Sequence, residues 1–152
     1  ARKVINLYFA APKSFLGRPM IGLLTGKRVI NNLVFMEDVS KDYAPAGKSL
    51  LSETVLDTDL SDKELLKVVQ GELEEISGTK ADQFKHLKTY LIPHALPQVG
   101  DLKFSIPFTE CKVLDQVCLA GDYLLHGSIN AAMTSGRTAA EAVVHSLSER
   151  QY

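Results

Sequence analysis

The segment from Val113 to Leu147 restricts the fold of this chain more than any other. Residues 113–120 read Val-Leu-Asp-Gln-Val-Cys-Leu-Ala, an almost unbroken apolar series that stops at Gly121-Asp122. Such a run predicts a strand buried on both faces. After a loop, Ser128 opens a long helix in which Ile129, Ala132, Met133, Gly136, Ala140, Val143, Val144 and Leu147 fall on a core-facing stripe. Ala131, Ala132, Ser135, Gly136, Thr138 and Ala139 dominate the first half of that helix. Small residues at this density let a helix approach another backbone, or a flat ligand, closely.

The remaining residues divide into sheet and helix patterns. Val4 to Ala10 alternate and end near Pro12, a short strand is expected near Met20 to Leu24, and Thr25-Gly26-Lys27 carries hairpin-turn chemistry before a return strand over Val29 to Met36. Asp42 to Lys48 contains Pro45 and Gly47 and breaks the pattern, which resumes as a strand over Ser49 to Leu56. The first third is therefore a mostly antiparallel sheet. Ser61-Asp62-Lys63-Glu64 fits a capping box, Leu65, Leu66, Val69, Leu73 and Ile76 follow at helical spacing, and Gly78 closes the helix. Phe84 to Ile92 reads as another strand, stopped by Pro93 and Pro97, with irregular chain from there to Pro107.

Composition excludes several classes. Seventeen Lys plus Arg stand against 18 Asp plus Glu, so no basic face for nucleic acid is implied. No apolar run approaches the roughly 20 residues of a membrane-spanning helix, and a cytoplasmic protein is expected. Cys111 and Cys118 lack metal or redox spacing and read as free thiols. Ala46-Gly47-Lys48-Ser49 ends like a phosphate-binding loop, but Asp42 stands where the first glycine belongs and a strand pattern follows, so a turn is the better reading. His126 is read as a helix-capping or solvent-facing loop residue and His94 likewise, although either would also suit a ligand cavity. His86 and His145 are read as surface or packing residues, and Asp57, Asp59 and Asp62 as charges favouring a helix N-terminus. Tyr8, Tyr43 and Tyr90 suit either a pocket wall or the core rim.

A strand ending in Gly-Asp, a loop and a helix start with free N–H groups form a layout suited to an anionic or electron-rich ligand. The Asp122 carboxylate can accept hydrogen bonds from ribose-like or ribityl hydroxyls, while Ser128 to Asn130 present positive partial charge. By pattern alone a purely structural crossover that binds nothing is the commoner outcome.

Val117-Cys118-Leu119-Ala120-Gly121-Asp122, followed by the run Gly127 to Ala140, resembles the C-terminal flavin motif of the amine oxidase, phytoene desaturase and protoporphyrinogen oxidase group. The segment from Asn31-Asn32-Leu33 through Tyr43 to Leu50, and the later Tyr90 to Pro97, resemble stretches of FAD-dependent oxidoreductases in that group. The resemblance implies that Gly121 and Asp122 lie by the ribityl and pyrophosphate part of FAD, with Gly127 opening the helix turn. It also implies that N–H groups around Ser128, Ile129 and Asn130 face the N1 and C2 carbonyl edge of the ring. Hydride would come from a C–N or C–H bond of a small-molecule substrate.

The G-x-G-x-x-G turn that opens this family's fold does not occur here. The expectation is therefore a truncated product or remnant of a protein about three times this length, inactive alone, lacking its N-terminal FAD-binding half and self-associating through exposed apolar surface. The fold class expected is α+β. Residues 1–106 would belong to the substrate-binding domain, an antiparallel sheet with a capping helix, and 107–152 to the C-terminal strand-helix unit of a Rossmann-like FAD domain. The competing reading is a non-catalytic ligand-binding or interaction module.

Overall fold

Alternation at the start of the chain forms β1, Arg2–Ala11, which buries Leu7 and Phe9. A two-residue β2, Gly22–Leu23, turns through Gly26 into β3, Ile30–Phe35, and β4 spans Ser49–Leu56. The last strand of this sheet, β5, spans Lys85–Leu96. The computed structural model describes residues 1–149, and they divide into two compact units: Lys3–Ala95, and Ala1–Arg2 with the residues from Leu96 onward.

In the first unit the strand order is β2-β3-β4-β1-β5, and the pairings β1/β4, β2/β3 and β3/β4 are antiparallel. Register places Leu7 and Leu33 on either side of Glu53, and Phe9 and Phe35 on either side of Leu51. This face meets the apolar stripe of α2, Asp62–Ser77, through Leu65, Val69 and Leu73. The other face carries hydrogen-bonded polar side chains: Asn6 Nδ2 donates to Ser52 Oγ at 3.2 Å and Thr54 Oγ1 donates to Asn6 Oδ1 at 3.1 Å. A one-residue shift would exchange these two faces, so burial fixes the register.

The α2 boundaries follow their signals. Ser61 N–H donates to Glu64 Oε2 at 3.0 Å and Ser61 Oγ donates to the same oxygen at 2.6 Å; the hydroxyl bond is the larger cause holding the Glu64 carboxyl below its usual range. Gly78, left-handed at φ 69°, donates its N–H to Glu74 O at 2.8 Å. Ser61→Ala is expected to lower unfolding free energy by about 1 kcal/mol, read from the urea midpoint.

Two local expectations are corrected. The return strand stops at Phe35 because Met36–Val39 turns into a short helix, α1. β5 runs through Pro93 to Leu96. It is the outermost strand, where a missing N–H toward solvent breaks no ladder bond. Pro97 then ends it, and no regular element occurs before residue 108.

The second unit contains α3, Phe108–Cys111, and α4, Ile129–Glu149. Between them, the expected doubly buried strand over 113–120 is instead a small antiparallel ribbon: β6, Lys112–Leu114, and β7, Val117–Cys118. Val113, Leu114 and Val117 are exposed. A strand becomes buried on both faces only with neighbours on both sides and layers above and below. Here Asp115-Gln116 reverses the chain, and each arm has the other as its one partner.

The stripe assigned to α4 is corrected as well. Ile129, Met133, Val143, Val144 and Leu147 face outward, Ile129 being 81% exposed. The buried face is the small one, Ala131, Ser135, Ala139 and Ala142, of which Ala131 and Ala139 pack with Ile106, Cys111 and Leu125. Apolar periodicity locates a face that needs covering, yet within this unit close approach to the Gly121 turn selects the face without bulk.

Candidate functional site

The turn from Gly121 to Asn130 is built from the backbone outward. Gly121 adopts φ 157° and ψ 161°, a region essentially restricted to glycine. A Cβ built there would overlap the Tyr123 ring, standing 2.6 Å from its Cδ1. Residues Asp122–Leu124 form one 3-10 turn, closed by Leu124 N–H to Gly121 O at 3.3 Å. The Asp122 carbonyl then accepts from both Leu125 N–H and Gly127 N–H, each at 3.1 Å. That double acceptance, with Gly127 left-handed at φ 64°, folds the loop back so that Gly121-Asp122 lies beside the start of α4.

Ser128 caps that helix. Its Oγ accepts from Ala131 N–H at 3.1 Å and shares a 3.2 Å hydrogen bond with His126 Nδ1. The N–H groups of Ile129 and Asn130 have no acceptor among the described residues, as befits a first helical turn, and both residues are exposed. The Asp122 side chain is half-buried, and its carboxylate likewise has no hydrogen-bond partner among the described residues. The six residues singled out from sequence, Gly121, Asp122, Gly127, Ser128, Ile129 and Asn130, therefore share one continuous turn that presents an acceptor at one end and free donors at the other. Beside it lies a cavity of about 330 Å³ lined by Arg2, Leu96, Pro97, His126 and Gly127, among others.

Two residues of the site were not singled out from sequence. Tyr123 covers the bare face of Gly121, and Ser135 reaches the same glycine from the buried face of α4. Only their geometry reveals them, because a helical serine and a loop tyrosine have no distinguishing spacing.

Three of the four histidines have ring partners. His126 is tilted over Phe104 with centroids 5.1 Å apart, His145 stacks on Phe108 at 5.0 Å, and His86 meets Phe9 edge-on at 5.5 Å and bonds Thr89 Oγ1. His94 is exposed on β5. Tyr8 and Tyr90 meet edge to face at 5.9 Å, and Tyr43 is exposed. Asp57 pairs with Lys3 at 2.7 Å. Both cysteines are free, and burial, ahead of the neighbouring Cys118, pushes the Cys111 thiol up, away from thiolate chemistry. Gly47, with φ 73°, ends a turn and leads into β4, so Ala46 to Ser49 is not followed by the helix a phosphate loop needs.

One further ionisable group is out of place. Glu53 lies at the centre of the sheet, wholly buried, and neither carboxylate oxygen has a hydrogen-bond partner among the described residues. Burial first, and the negative charge of Glu72 second, push its carboxyl up to about 8. Glu72 is itself occupied, accepting from Val29 N–H at 2.7 Å and Ile30 N–H at 2.9 Å.

The first unit sets an antiparallel sheet against one helix, and the second carries a Gly-Asp turn and a second helix start. The chain belongs to the flavin containing amine oxidoreductase family, whose model matches residues 1–144. It is similar in fold to an oxidoreductase from Methanosarcina mazei, with a TM-score of 0.65 and 17% identity over 92% of this chain and 34% of that one. It is also similar to a protein from Pyrococcus furiosus, with a TM-score of 0.62 and 17% identity over 95% of this chain and 32% of that one. The chain thus spans about a third of the length of the structures it matches. No curated protein matches it in sequence. No helix among the described residues is long and apolar enough to cross a membrane.

Proposed function

We propose that this chain forms the C-terminal portion of an FAD-dependent oxidoreductase of the amine oxidase type, and that the Gly121 to Asn130 turn holds one edge of the flavin. In this reading Lys3–Ala95 is substrate-domain sheet and helix, and the second unit is the returning end of a Rossmann-like FAD domain. The observation that carries it is the unpartnered Asp122 carboxylate set beside the unpartnered first-turn N–H groups of α4, in a chain that belongs to a flavin-containing family.

The residues fit the group at that edge. Gly121 has no side chain, so a cofactor approaches its backbone once the Tyr123 ring swings aside; Tyr123 is 46% exposed and free to do so. Asp122 accepts hydrogen bonds from ribityl hydroxyls. Gly127 shapes the return, and the amides of Ser128, Ile129 and Asn130, at a helix N-terminus, stabilise negative charge at the ring edge by roughly 0.3 to 2 kcal/mol. When bound, FAD supplies the acceptor for hydride from a C–N or C–H bond of a small-molecule substrate. The outward stripe of Ile129, Met133, Val143 and Leu147 is the surface on which an N-terminal FAD-binding half sits, and the chain alone is inactive.

A one-edge site supports binding on the order of 1 mM. Flavin titrated into isotope-labelled chain is expected to shift the amide signals of Gly121, Asp122, Ile129 and Asn130 and to raise the melting temperature, since a native-state ligand stabilises. Asp122→Ala should weaken the response about tenfold. A wild-type chain whose signals and melting ignore millimolar FAD would instead be a non-catalytic module that kept the fold.

A further inference from the structure

We infer that Ser135 is a positioning residue for the cofactor-facing turn: from the buried face of α4, its hydroxyl sets the two peptide groups on either side of Gly121. This rests on the reading that the turn meets a flavin.

Ser135 is wholly buried, and its hydroxyl acts in both directions. Its Oγ accepts the Gly121 N–H at 2.9 Å, and its O–H is directed at the Gly121 carbonyl, also 2.9 Å away, with the Ala132 carbonyl at 3.0 Å as the alternative acceptor within the helix. The first bond belongs to the Ala120–Gly121 peptide and the second to the Gly121–Asp122 peptide. Holding both fixes φ and ψ of the residue between them, a glycine, the residue type with the widest backbone freedom. The direction in which Asp122 leaves the turn follows from the second peptide plane. Among the described residues no other side chain bonds the backbone of residues 120–122.

A hydroxyl is needed for this. Alanine fits the space and keeps the helix, yet it leaves the Gly121 N–H without its acceptor and lets the glycine sample other conformations. The same helix supplies an internal control: Thr138 Oγ1 bonds back to the Thr134 carbonyl at 3.1 Å, a helical hydroxyl with no bond to the turn.

The test compares the labelled full chain as wild type, Ser135→Ala, Ser135→Thr and Thr138→Ala, following amide exchange and FAD-dependent signal shifts. In Ser135→Ala the Gly121 amide should exchange about tenfold faster and the FAD dissociation constant rise about tenfold, with α2 and sheet amides unchanged. Thr138→Ala should leave both quantities at wild-type values, and Ser135→Thr, which keeps the hydroxyl, should restore them. Wild-type FAD affinity in Ser135→Ala, or an equal loss in Thr138→Ala, overturns the role of Ser135 alone. If Ser135→Ala loses α4 protection altogether, Ser135→Thr decides: wild-type affinity supports the role and a tenfold loss overturns it. A wild-type chain with no FAD-dependent shift at Gly121 or Asp122 sinks the flavin reading itself, and this role with it.

Discussion

Glu53→Leu is expected to stabilise the chain by on the order of 3 kcal/mol at pH 7 and to flatten its stability between about pH 4.5 and 8. Glu53 stands between Leu7 and Leu33 in the sheet, fully buried, with both oxygens unpartnered. In the folded chain it keeps its proton until about pH 8, against an ordinary 4.5. Unfolding therefore releases a proton across that window. The native state has its full stability from this group below pH 4.5, and loses about 1.4 kcal/mol per unit as pH rises toward 8, after which the loss levels off. Leucine has no proton to hold and no polar atoms to desolvate, and its volume suits a row of leucines. Glu53→Gln removes the titration but leaves a buried amide without partners, so it should flatten the curve with a smaller gain. Urea midpoints at pH 5, 7 and 8.5 check this. A wild type whose midpoint rises with pH through that range would mean the carboxyl finds a cation or water on folding.

Gly121→Ala is expected to loosen the candidate site by roughly 1 to 3 kcal/mol. Two causes contribute. The backbone at φ 157°, ψ 161° disfavours any side chain, and the new Cβ would overlap the ring of Tyr123. The ring is half-exposed and can rotate away, so the backbone is the larger cause. The second variant Gly121→Ala with Tyr123→Ala separates them: it should recover little of the loss. Hydrogen exchange at the Leu125 and Gly127 amides, which close the turn onto the Asp122 carbonyl, reads the local stability directly. Full recovery in the double variant would assign the cost to the ring.

How much was legible in the sequence varied with the range of the interactions. α2 was fully legible because its signals are local: Ser61 and Glu64 meet within one turn, Gly78 supplies the left-handed cap, and Leu65, Val69 and Leu73 recur at helical spacing. β4 was legible from Ser49 to Leu56 for the same reason, since alternation and its flanking breakers lie within the segment. The ribbon over Lys112–Cys118 was not, because a continuous apolar run specifies that a strand seeks cover and says nothing about which neighbours the folded unit provides. Glu53 shows the same limit in reverse. The strand over Ser49 to Leu56 was expected, but that Glu53 lies on its inner face without partners emerges only when β1, β3 and α2 close around it.

The sequence by itself determined α2, the strands β1 and β4, the turn at Gly121-Asp122 and the helix start at Ser128, because capping, glycine conformations and period are settled among residues a few positions apart. Only the tertiary structure decided which face of α4 turns inward, that Ser135 holds Gly121 across fourteen positions of chain, and that Tyr123 covers it. Those outcomes depend on close approach between segments distant in sequence, where steric fit and the satisfaction of buried polar groups outweigh local pattern.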